Sequence, residues 1–335
     1  MKAHVLNTYG ESATFETVEM ARPETTSGHV LIRVAASSVN PLDVGIRKGA
    51  PSIFAPELPA VIHGDVAGVI ENVGEGVTQF QPGDEIYACA GGVRGTAGGA
   101  LADYMLADAD LVAHKPHSLS MKEAASLPLV TLTAWEGLID RANIQAGQKV
   151  LIHGGTGGVG HVAIQIAKWA GATVYATASS EDKLAIAKDL GSDHVINYRA
   201  ESVQDYVEKY TDGKGFDVVF DTVGGKNLDQ SIEAAALYGD VINILSGSEH
   251  DLSLLSPKGI TLHGVLMLIP LLHNMKRDHH GKVLSKAAEL VEQGQLRPLV
   301  DKRSFNFGEV ADAHQYLESG EAIGKVTLTN PNFSK

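Results

Sequence analysis

The stretch Lys149-Val-Leu-Ile-His-Gly-Gly-Thr-Gly-Gly-Val-Gly-His161 decides the fold of this chain. Residues 150–152 predict a short buried strand, and residues 162–169 repeat apolar side chains at helical spacing. Between them lies Gly155-x-Gly157-x-x-Gly160, a turn that lets the backbone approach a pyrophosphate, while the helix N-terminus adds unpaired N–H groups. An isolated glycine-rich turn is a weak signal, but its position between a strand and a helix predicts dinucleotide binding.

The residues after this loop indicate which dinucleotide binds. A fold selective for NAD usually places Asp or Glu about 20 residues beyond the glycines, where it holds the ribose 2′-hydroxyl. This chain has Ser179 there, followed by Ser180 and Lys183, which offer donors and a positive charge to a 2′-phosphate. Glu181 and Asp182 fit better as acids in the first turn of the next helix. The sequence therefore favours NADPH over NADH, although Ser180 could be an ordinary N-cap and Lys183 a solvated helix residue.

Strands and helices alternate along the rest of this region. Strands are expected over 173–179, 194–198, 216–223, 239–245 and 260–267, and helices over 181–190, 202–210 and 227–237. Together with 150–152 this makes six strands with helical crossovers. The pattern predicts an α/β fold, a Rossmann doubly wound parallel sheet over residues 125–267.

The flanking segments, 1–124 and 268–335, have a different pattern. Short β-like segments over 30–34, 66–73, 83–88 and 101–106 are punctuated by Gly and Pro, which is typical of a compact, mostly β barrel domain. After the last Rossmann strand we expect a helix over 281–294, preceded by an exposed basic turn at His279-His280. Strands over 303–307 and 325–329 would complete the first domain, leaving a cleft between the domains for the reactive end of the cofactor.

Composition sets further bounds. A length of 335 residues predicts two domains. The N-terminus begins at once with strand-like residues 3–6, and no apolar run approaches 18 residues, so we expect neither a signal peptide nor a membrane span. The single cysteine, Cys89, excludes an internal disulfide and fits a cytoplasmic location. The formal net charge of −13 argues against nucleic-acid binding.

Several short motifs, in this order and spacing, resemble those of one enzyme family. They are Ser38-Val-Asn-Pro-Leu-Asp43, Gly64-Asp-Val-Ala-Gly-Val-Ile70, Leu132-Thr-Ala-Trp135 and Ile196-Asn-Tyr-Arg199. With the glycine loop, they resemble the medium-chain dehydrogenase/reductase superfamily, and within it the zinc-independent quinone oxidoreductase (zeta-crystallin-like) branch. The resemblance spans essentially the whole chain and implies a GroES-like first domain.

The resemblance also bears on metal binding. Zinc-dependent relatives hold their metal with a Cys where this chain has Asn40, a His near Gly64-Asp65 and a further Cys. A tetrahedral site needs at least three protein ligands, and one Cys excludes a thiolate-based site of that kind. His63 and Asp65 have no third ligand in view, so we predict no metal. Without zinc, hydride transfer to a quinone or to the β-carbon of an α,β-unsaturated carbonyl is more plausible than alcohol oxidation.

The resemblance assigns roles to individual residues. Asn40 reaches the substrate or the nicotinamide with its amide, and Thr133 presents a hydroxyl to the nicotinamide, with Thr131 as its neighbour. The other implied cofactor contacts are Gly158 and Val159 at the pyrophosphate, Lys183 and Tyr198 at the 2′-phosphate, Ile244, Leu245 and Ser246 at the nicotinamide ribose, and Lys325 closing over the cofactor. Where the branch often has Tyr, this chain has Gly45, which opens the pocket.

Two functions follow as alternatives: an NADPH-dependent reductase of quinones or activated alkenes, and an NADPH-binding protein with little catalysis, as among lens crystallins. The resemblance also implies a homodimer that pairs through the last Rossmann strand. An apolar run, Leu262 together with 265–269 and 271–272, would otherwise form an exposed sheet edge and patch. Alternatively, this segment simply folds under the 281–294 helix.

Overall fold

The computed structural model describes residues 1–49, 53–245 and 247–334, which divide into two compact units. The first unit contains Met1–Leu129 and the chain from Leu268 onward, and the second contains Val130–Met267. The first division therefore falls after Leu129, whereas the sequence placed it after residue 124. Ser246, expected near the nicotinamide ribose, lies outside the described residues.

The elements follow one another in three segments. The first contains β1 (Lys2–Leu6), β2 (Phe15–Glu19), β3 (His29–Ser38), β4 (Ala60–Val61), β5 (Asp65–Val73), β6 (Glu85–Cys89), β7 (Tyr104–Asp108), β8 (Val112–His114), α1 (Pro41–Lys48), α2 (Met121–Ala124) and α3 (Pro128–Trp135). The second contains β9 (Lys149–Ile152), β10 (Thr173–Ala178), β11 (His194–Asn197), β12 (Phe216–Asp221), β13 (Ala235–Asn243), β14 (Thr261–Gly264), α4 (Gly158–Trp169), α5 (Glu181–Asp189), α6 (Val203–Thr211), α7 (Lys226–Ala234) and α8 (Leu255–Lys258). The third contains α9 (Ile269–His273), α10 (Arg277–Glu292), α11 (Val310–Glu318), β15 (Val300–Asn306) and β16 (Lys325–Thr329).

The second unit confirms the predicted Rossmann sheet. Its six strands pair in the order β11-β10-β9-β12-β13-β14, all parallel. The apolar runs of β9 and β12 are fully buried, as in a sheet covered on both faces. One helix is shorter than predicted: α7 ends at Ala234 because Ala235 pairs with Phe216 and begins β13. Sheet pairing overrides the helical propensity of the following residues there.

The first unit is built on mostly antiparallel strands, with β15 and β16 parallel, as expected for its GroES-like, mostly β architecture. A seven-stranded sheet runs β15-β16-β3-β5-β6-β8, with β7 also on β3, and a second sheet runs β2-β1-β4. Strand β3 pairs with β5 along most of its length, and a Cβ on Gly68 would lie 2.3 Å from the Arg33 carbonyl oxygen. Only glycine allows this close approach. Strand β16 pairs with β3 at Thr327 and Ser38, so the C-terminal strand completes the unit that the N-terminal segment begins.

Two expectations about the C-terminal segment need correction. Helix α10 begins at Arg277 rather than at residue 281, so His279 and His280 are helical, and His280 is buried. The predicted exposed basic turn is therefore wrong. Strand β14 is only four residues long, and Val265, Met267, Leu268 and Leu271 behind it are buried within the chain. Among the described residues, no helix is both long and apolar enough to cross a membrane.

Candidate active site

The glycine loop forms an anion cradle at the start of α4. Gly157 is the N-cap and has no side chain to satisfy the helix amides, and the first turn carries no acidic residue. The amides of Gly158 and Val159 are therefore available to a ligand, because the first N–H groups of an α-helix have no intrahelical acceptor. A Cβ on Gly160 would lie 2.1 Å from the Gly154 carbonyl oxygen, so this packing of loop on helix requires glycine. The arrangement fits a pyrophosphate.

Two hydrogen bonds join the glycine loop to Thr177 on the neighbouring strand β10, a residue that the sequence analysis did not identify. The Gly154 amide donates to the Thr177 hydroxyl at 3.2 Å, and the Gly155 amide donates to the Thr177 carbonyl at 3.0 Å. Thr177 is buried near the end of β10. The available signal was a threonine between two alanines near the end of the strand that follows the loop and its helix.

Two buried polar residues lie at the carboxyl ends of β9 and β12. His153 approaches the Thr177 hydroxyl through Nδ1 at 3.3 Å, and burial lowers the pKa of His153 to about 4 against the opposing charge of Asp221. The Asp221 carboxylate accepts from the amides of Val223 at 2.8 Å and Gly224 at 3.0 Å, which shapes the turn after β12. His153 is therefore neutral at pH 7 and takes part in a local hydrogen bond.

The residues predicted to hold a 2′-phosphate lie at two adjacent strand ends. Ala178 and Asn197 are partners in the parallel pairing of β10 and β11, so Ser179 and Tyr198 leave the sheet side by side. Ser180 is the N-cap of α5, but its hydroxyl makes no capping bond, and Lys183 lies in the first turn of that helix. Tyr198 is 52% exposed. These segments therefore carry hydroxyls and a lysine at the position where an NAD-selective fold has a carboxylate.

Of the residues expected near the nicotinamide and its ribose, the structure describes all but Ser246. Thr131 and Thr133 lie on α3 and are buried, and the Thr131 hydroxyl has no hydrogen-bond partner among the described residues. Ile244 and Leu245 directly follow β13, and Leu245 lies against Gly224, whose Cβ would be 2.7 Å from the Leu245 Cβ. A bound dinucleotide could supply the hydrogen-bond partner that the buried Thr131 hydroxyl lacks, and it could cover the exposed end of β13.

In the first unit, the polar residues form a buried cluster that we call the Asn40 cluster: Ser38, Asn40, Asp43, Asp65 and Lys325. The Asn40 side-chain amide donates to the Asp65 carboxylate at 2.8 Å, and the Lys325 ammonium donates to the Asn40 side-chain oxygen. The same ammonium reaches Asp65 at 3.3 Å. Asp65 also accepts from the Ser38 hydroxyl at 2.8 Å. The sequence predicted roles for Asn40 and Lys325 but not their contact.

The second carboxylate of the cluster has an unusual protonation equilibrium. Asp43 accepts a hydrogen bond from the Asn40 backbone amide at 2.8 Å, at the start of α1. Burial raises the pKa of Asp43 to about 7, with the nearby charge of Asp65 adding to the rise and that of Lys325 opposing it. The Asn-x-x-Asp spacing of residues 40–43 was the sequence signal for this contact.

A histidine pair adjoins the cluster. The Nε2 atoms of His63 and His314 are 2.8 Å apart, so one ring donates while the other accepts, and both cannot be charged. Burial lowers the pKa of His63 well below its usual value, with the charges of His314 and Lys325 acting in the same direction. Burial likewise lowers the pKa of His314 to about 3. No pattern in the sequence indicated that His314, 251 residues from His63, would contact it.

The comparisons with known proteins agree with this architecture. Residues 26–117 match the family described as "Alcohol dehydrogenase GroES-like domain", and residues 190–328 match "Zinc-binding dehydrogenase". The chain is 35% identical to the chloroplastic NADPH-dependent alkenal/one oxidoreductase of Arabidopsis thaliana, over 98% of this chain and 79% of that protein.

Two solved structures resemble the whole chain. One is an alcohol dehydrogenase superfamily protein from Novosphingobium aromaticivorans, with a TM-score of 0.93, 41% identity and coverage of 98% of this chain and 99% of that chain. The other is the quinone oxidoreductase from Coxiella burnetii, with a TM-score of 0.80, 30% identity and coverage of 98% of each chain.

The name of the second family raises the question of zinc, and the donor atoms around Asp65 do not fit that ion. Asp65 is already bonded to the Lys325 ammonium, and His63 is bonded to His314. Burial raises the pKa of the Cys89 thiol well above its ordinary value, which opposes the thiolate that zinc binds. Within residues 1–49, 53–245 and 247–334, no three His, Cys, Asp or Glu side chains come together in a way that could hold a metal ion.

Proposed function

The chain belongs to the medium-chain dehydrogenase/reductase superfamily, and on that basis we propose that it is a zinc-independent reductase that uses NADPH. Its substrate is a quinone or the activated double bond of an α,β-unsaturated carbonyl. The observation that carries the proposal is the pair of strand ends after β10 and β11, where Ser179, Ser180, Lys183 and Tyr198 lie in place of a carboxylate. The 35% identity to an alkenal/one oxidoreductase supports the substrate class.

The proposed cofactor contacts follow from the second unit. The Gly158 and Val159 amides bind the pyrophosphate at the start of α4. Ser179, Ser180, Lys183 and Tyr198 bind the 2′-phosphate. Thr131 and Thr133 face the nicotinamide, with the backbone after β13 at its ribose. Bound NADPH supplies the hydride, and the protein supplies binding and orientation.

The proposed substrate needs no metal because its electrophilic carbon is already activated. Hydride addition to the β-carbon of an enone moves negative charge onto the carbonyl oxygen, where a hydrogen-bond donor can stabilise it. Asn40 has a second side-chain N–H besides the one that it donates to Asp65. We propose that this N–H contacts the carbonyl of the substrate or of the nicotinamide. We also propose that Gly45, which lies in α1, leaves room for a substrate larger than a simple quinone.

Stopped-flow measurements test this function. Bound NADPH is mixed with a panel of quinones and enones, and its oxidation is followed by absorbance. We expect burst oxidation and multiple turnovers with at least one of the two classes. Tight NADPH binding without turnover of any acceptor would instead favour the non-catalytic, crystallin-like alternative.

We also propose that the protein forms a homodimer through the β14 edge of the second unit. Strand β14 ends the six-stranded sheet and pairs with β13 on one side. Leu237 and Tyr238 lie on β13, the strand that pairs with β14, and they are 67% and 87% exposed. Such exposure is unusual for large apolar side chains on a sheet. A two-fold pairing of β14 would cover the edge and these side chains together. The expected apolar run contributes less, because half of its residues, Val265, Met267, Leu268 and Leu271, are buried within the chain.

A further inference from the structure

The carboxamide of Asn40 is held at both ends by groups of opposite character. Its oxygen accepts from the Lys325 ammonium, and its nitrogen donates to the Asp65 carboxylate at 2.8 Å. An ammonium can only donate and an ionised carboxylate can only accept. A flipped amide would place its NH₂ against the ammonium and its oxygen against the carboxylate, losing both bonds. The two charges therefore select one of the two amide orientations.

Lys325 is itself fixed in place. Its side chain is almost fully buried, and its ammonium also donates to the Val39 carbonyl at 3.1 Å, so its three N–H groups all have acceptors in the first unit. Its backbone amide donates to the Leu299 carbonyl at 2.8 Å. The preceding Gly324 has φ +74°, and a Cβ there would lie 2.1 Å from the Leu299 carbonyl oxygen. A fully committed ammonium on a fixed backbone favours a role within the cluster over direct closure on the cofactor.

We propose that Lys325 and Asp65 are positioning residues that hold the Asn40 carboxamide in a single orientation. The orientation fixes the direction of the second side-chain N–H of Asn40, for which a ligand would compete with the neighbouring Asp43 carboxyl. The ammonium also compensates the negative charge of Asp65, which has no exposed surface. Three further titratable groups lie in the same site: Asp43, His63 and Cys89. This inference rests on the proposed function, in which Asn40 contacts the substrate or the nicotinamide.

A double-mutant cycle in kcat/KM for an accepted enone or quinone tests this inference. Asn40→Ala and Lys325→Met are each expected to lower kcat/KM by roughly tenfold to a hundredfold. If Lys325 acts through Asn40, the double variant should lie within about twofold of Asn40→Ala alone. Losses that multiply in the double variant would overturn the proposal, because Lys325 would then act independently of Asn40.

A matched control separates positioning from general damage. Lys115 is also buried in the first unit, where its ammonium donates to the Pro116 carbonyl at 2.8 Å and pairs with Glu85 at 3.1 Å. Lys115→Met should lower the melting temperature but leave kcat/KM within about twofold. An equal loss of kcat/KM in Lys115→Met would show that any buried lysine has this effect and would overturn the inference. Should Lys325→Met not fold, Asp65→Asn enters the same cycle with the same expected non-additivity.

A measurement without turnover distinguishes this inference from the proposed function. With ¹⁵N-labelled asparagine, the side-chain NH₂ signals of Asn40 are identified by their loss in Asn40→Ala. They should exchange with solvent at least about tenfold faster in Lys325→Met than in the wild type and in Lys115→Met. Unchanged exchange would refute the positioning role, whether or not the wild type reduces any acceptor. Absence of wild-type turnover would by itself refute only the proposed function.

Discussion

Asp43 gives the Asn40 cluster a pH dependence that one conservative substitution should remove. The folded protein raises the pKa of this buried carboxyl from 3.8 to about 7. Between these values the folded state keeps a proton that the unfolded chain releases, so this group makes stability fall as pH rises. Asp43→Asn keeps an oxygen that can accept from the Asn40 amide but cannot ionise. The variant should therefore lose this part of the pH dependence.

The size of the effect follows from the same pKa change. Each pKa unit corresponds to about 1.4 kcal/mol, so the rise from 3.8 to about 7 amounts to about 4 kcal/mol in the free energy of unfolding of the first unit. At about pH 4, Asp43 is protonated in the folded state and only about half ionised in the unfolded state, so the two proteins should differ mainly by an offset that does not depend on pH. By about pH 8 the variant should have gained roughly 4 kcal/mol relative to the wild type. The nearby histidines are present in both proteins, so their contributions cancel in this difference.

Urea unfolding at several pH values between about 4 and about 8 measures this difference. Circular dichroism follows both units, whereas tryptophan fluorescence follows the second unit alone, because Trp135 and Trp169, the two tryptophans of the chain, both lie there. The fluorescence transition is the internal control and should not change with the substitution. A stability difference between variant and wild type that stays constant across this pH range would refute the reasoning.

Four further predictions concern the cofactor, the metal and the assembly. Lys183→Ala should weaken NADPH binding by about tenfold or more, as expected for one charge-assisted contact, while NADH binding hardly changes; equal losses in titration calorimetry would contradict the 2′-phosphate assignment. Gly160→Ala places a Cβ 2.1 Å from the Gly154 carbonyl oxygen and should lower NADPH affinity at least about tenfold, whereas Gly264→Ala, with no heavy atom within 4 Å, should not. Exhaustive chelation should change neither reductase activity nor melting temperature; zinc that is lost together with activity would refute this. In sedimentation at low micromolar concentration the wild type should be a dimer and Leu237→Glu should shift towards monomer; a fully active wild-type monomer would exclude the dimer.

The sequence alone determined the second unit almost completely. The glycine loop, its strand and its helix are consecutive in the chain, so their apolar periodicity and the backbone freedom of glycine specify the local structure. The six strands pair in the order β11-β10-β9-β12-β13-β14, which is the doubly wound arrangement that the alternation of strands and helices predicted. The residue at which α7 ends could not be predicted from local patterns. It depends on the pairing of Ala235 with Phe216, which lies on another strand.

Only the tertiary structure decided how the Asn40 cluster is assembled. Asn40 and Lys325 could each be singled out from the sequence, but they are 285 residues apart, and Asp65 and Lys325 are 260 apart. The antiparallel pairing of β16 with β3 brings them together. Patterns of residue types in the sequence indicate which side chains are buried and where the chain turns. The partner of a buried charge, and hence its pKa and its role, depends on contacts that exist only once distant strands have paired.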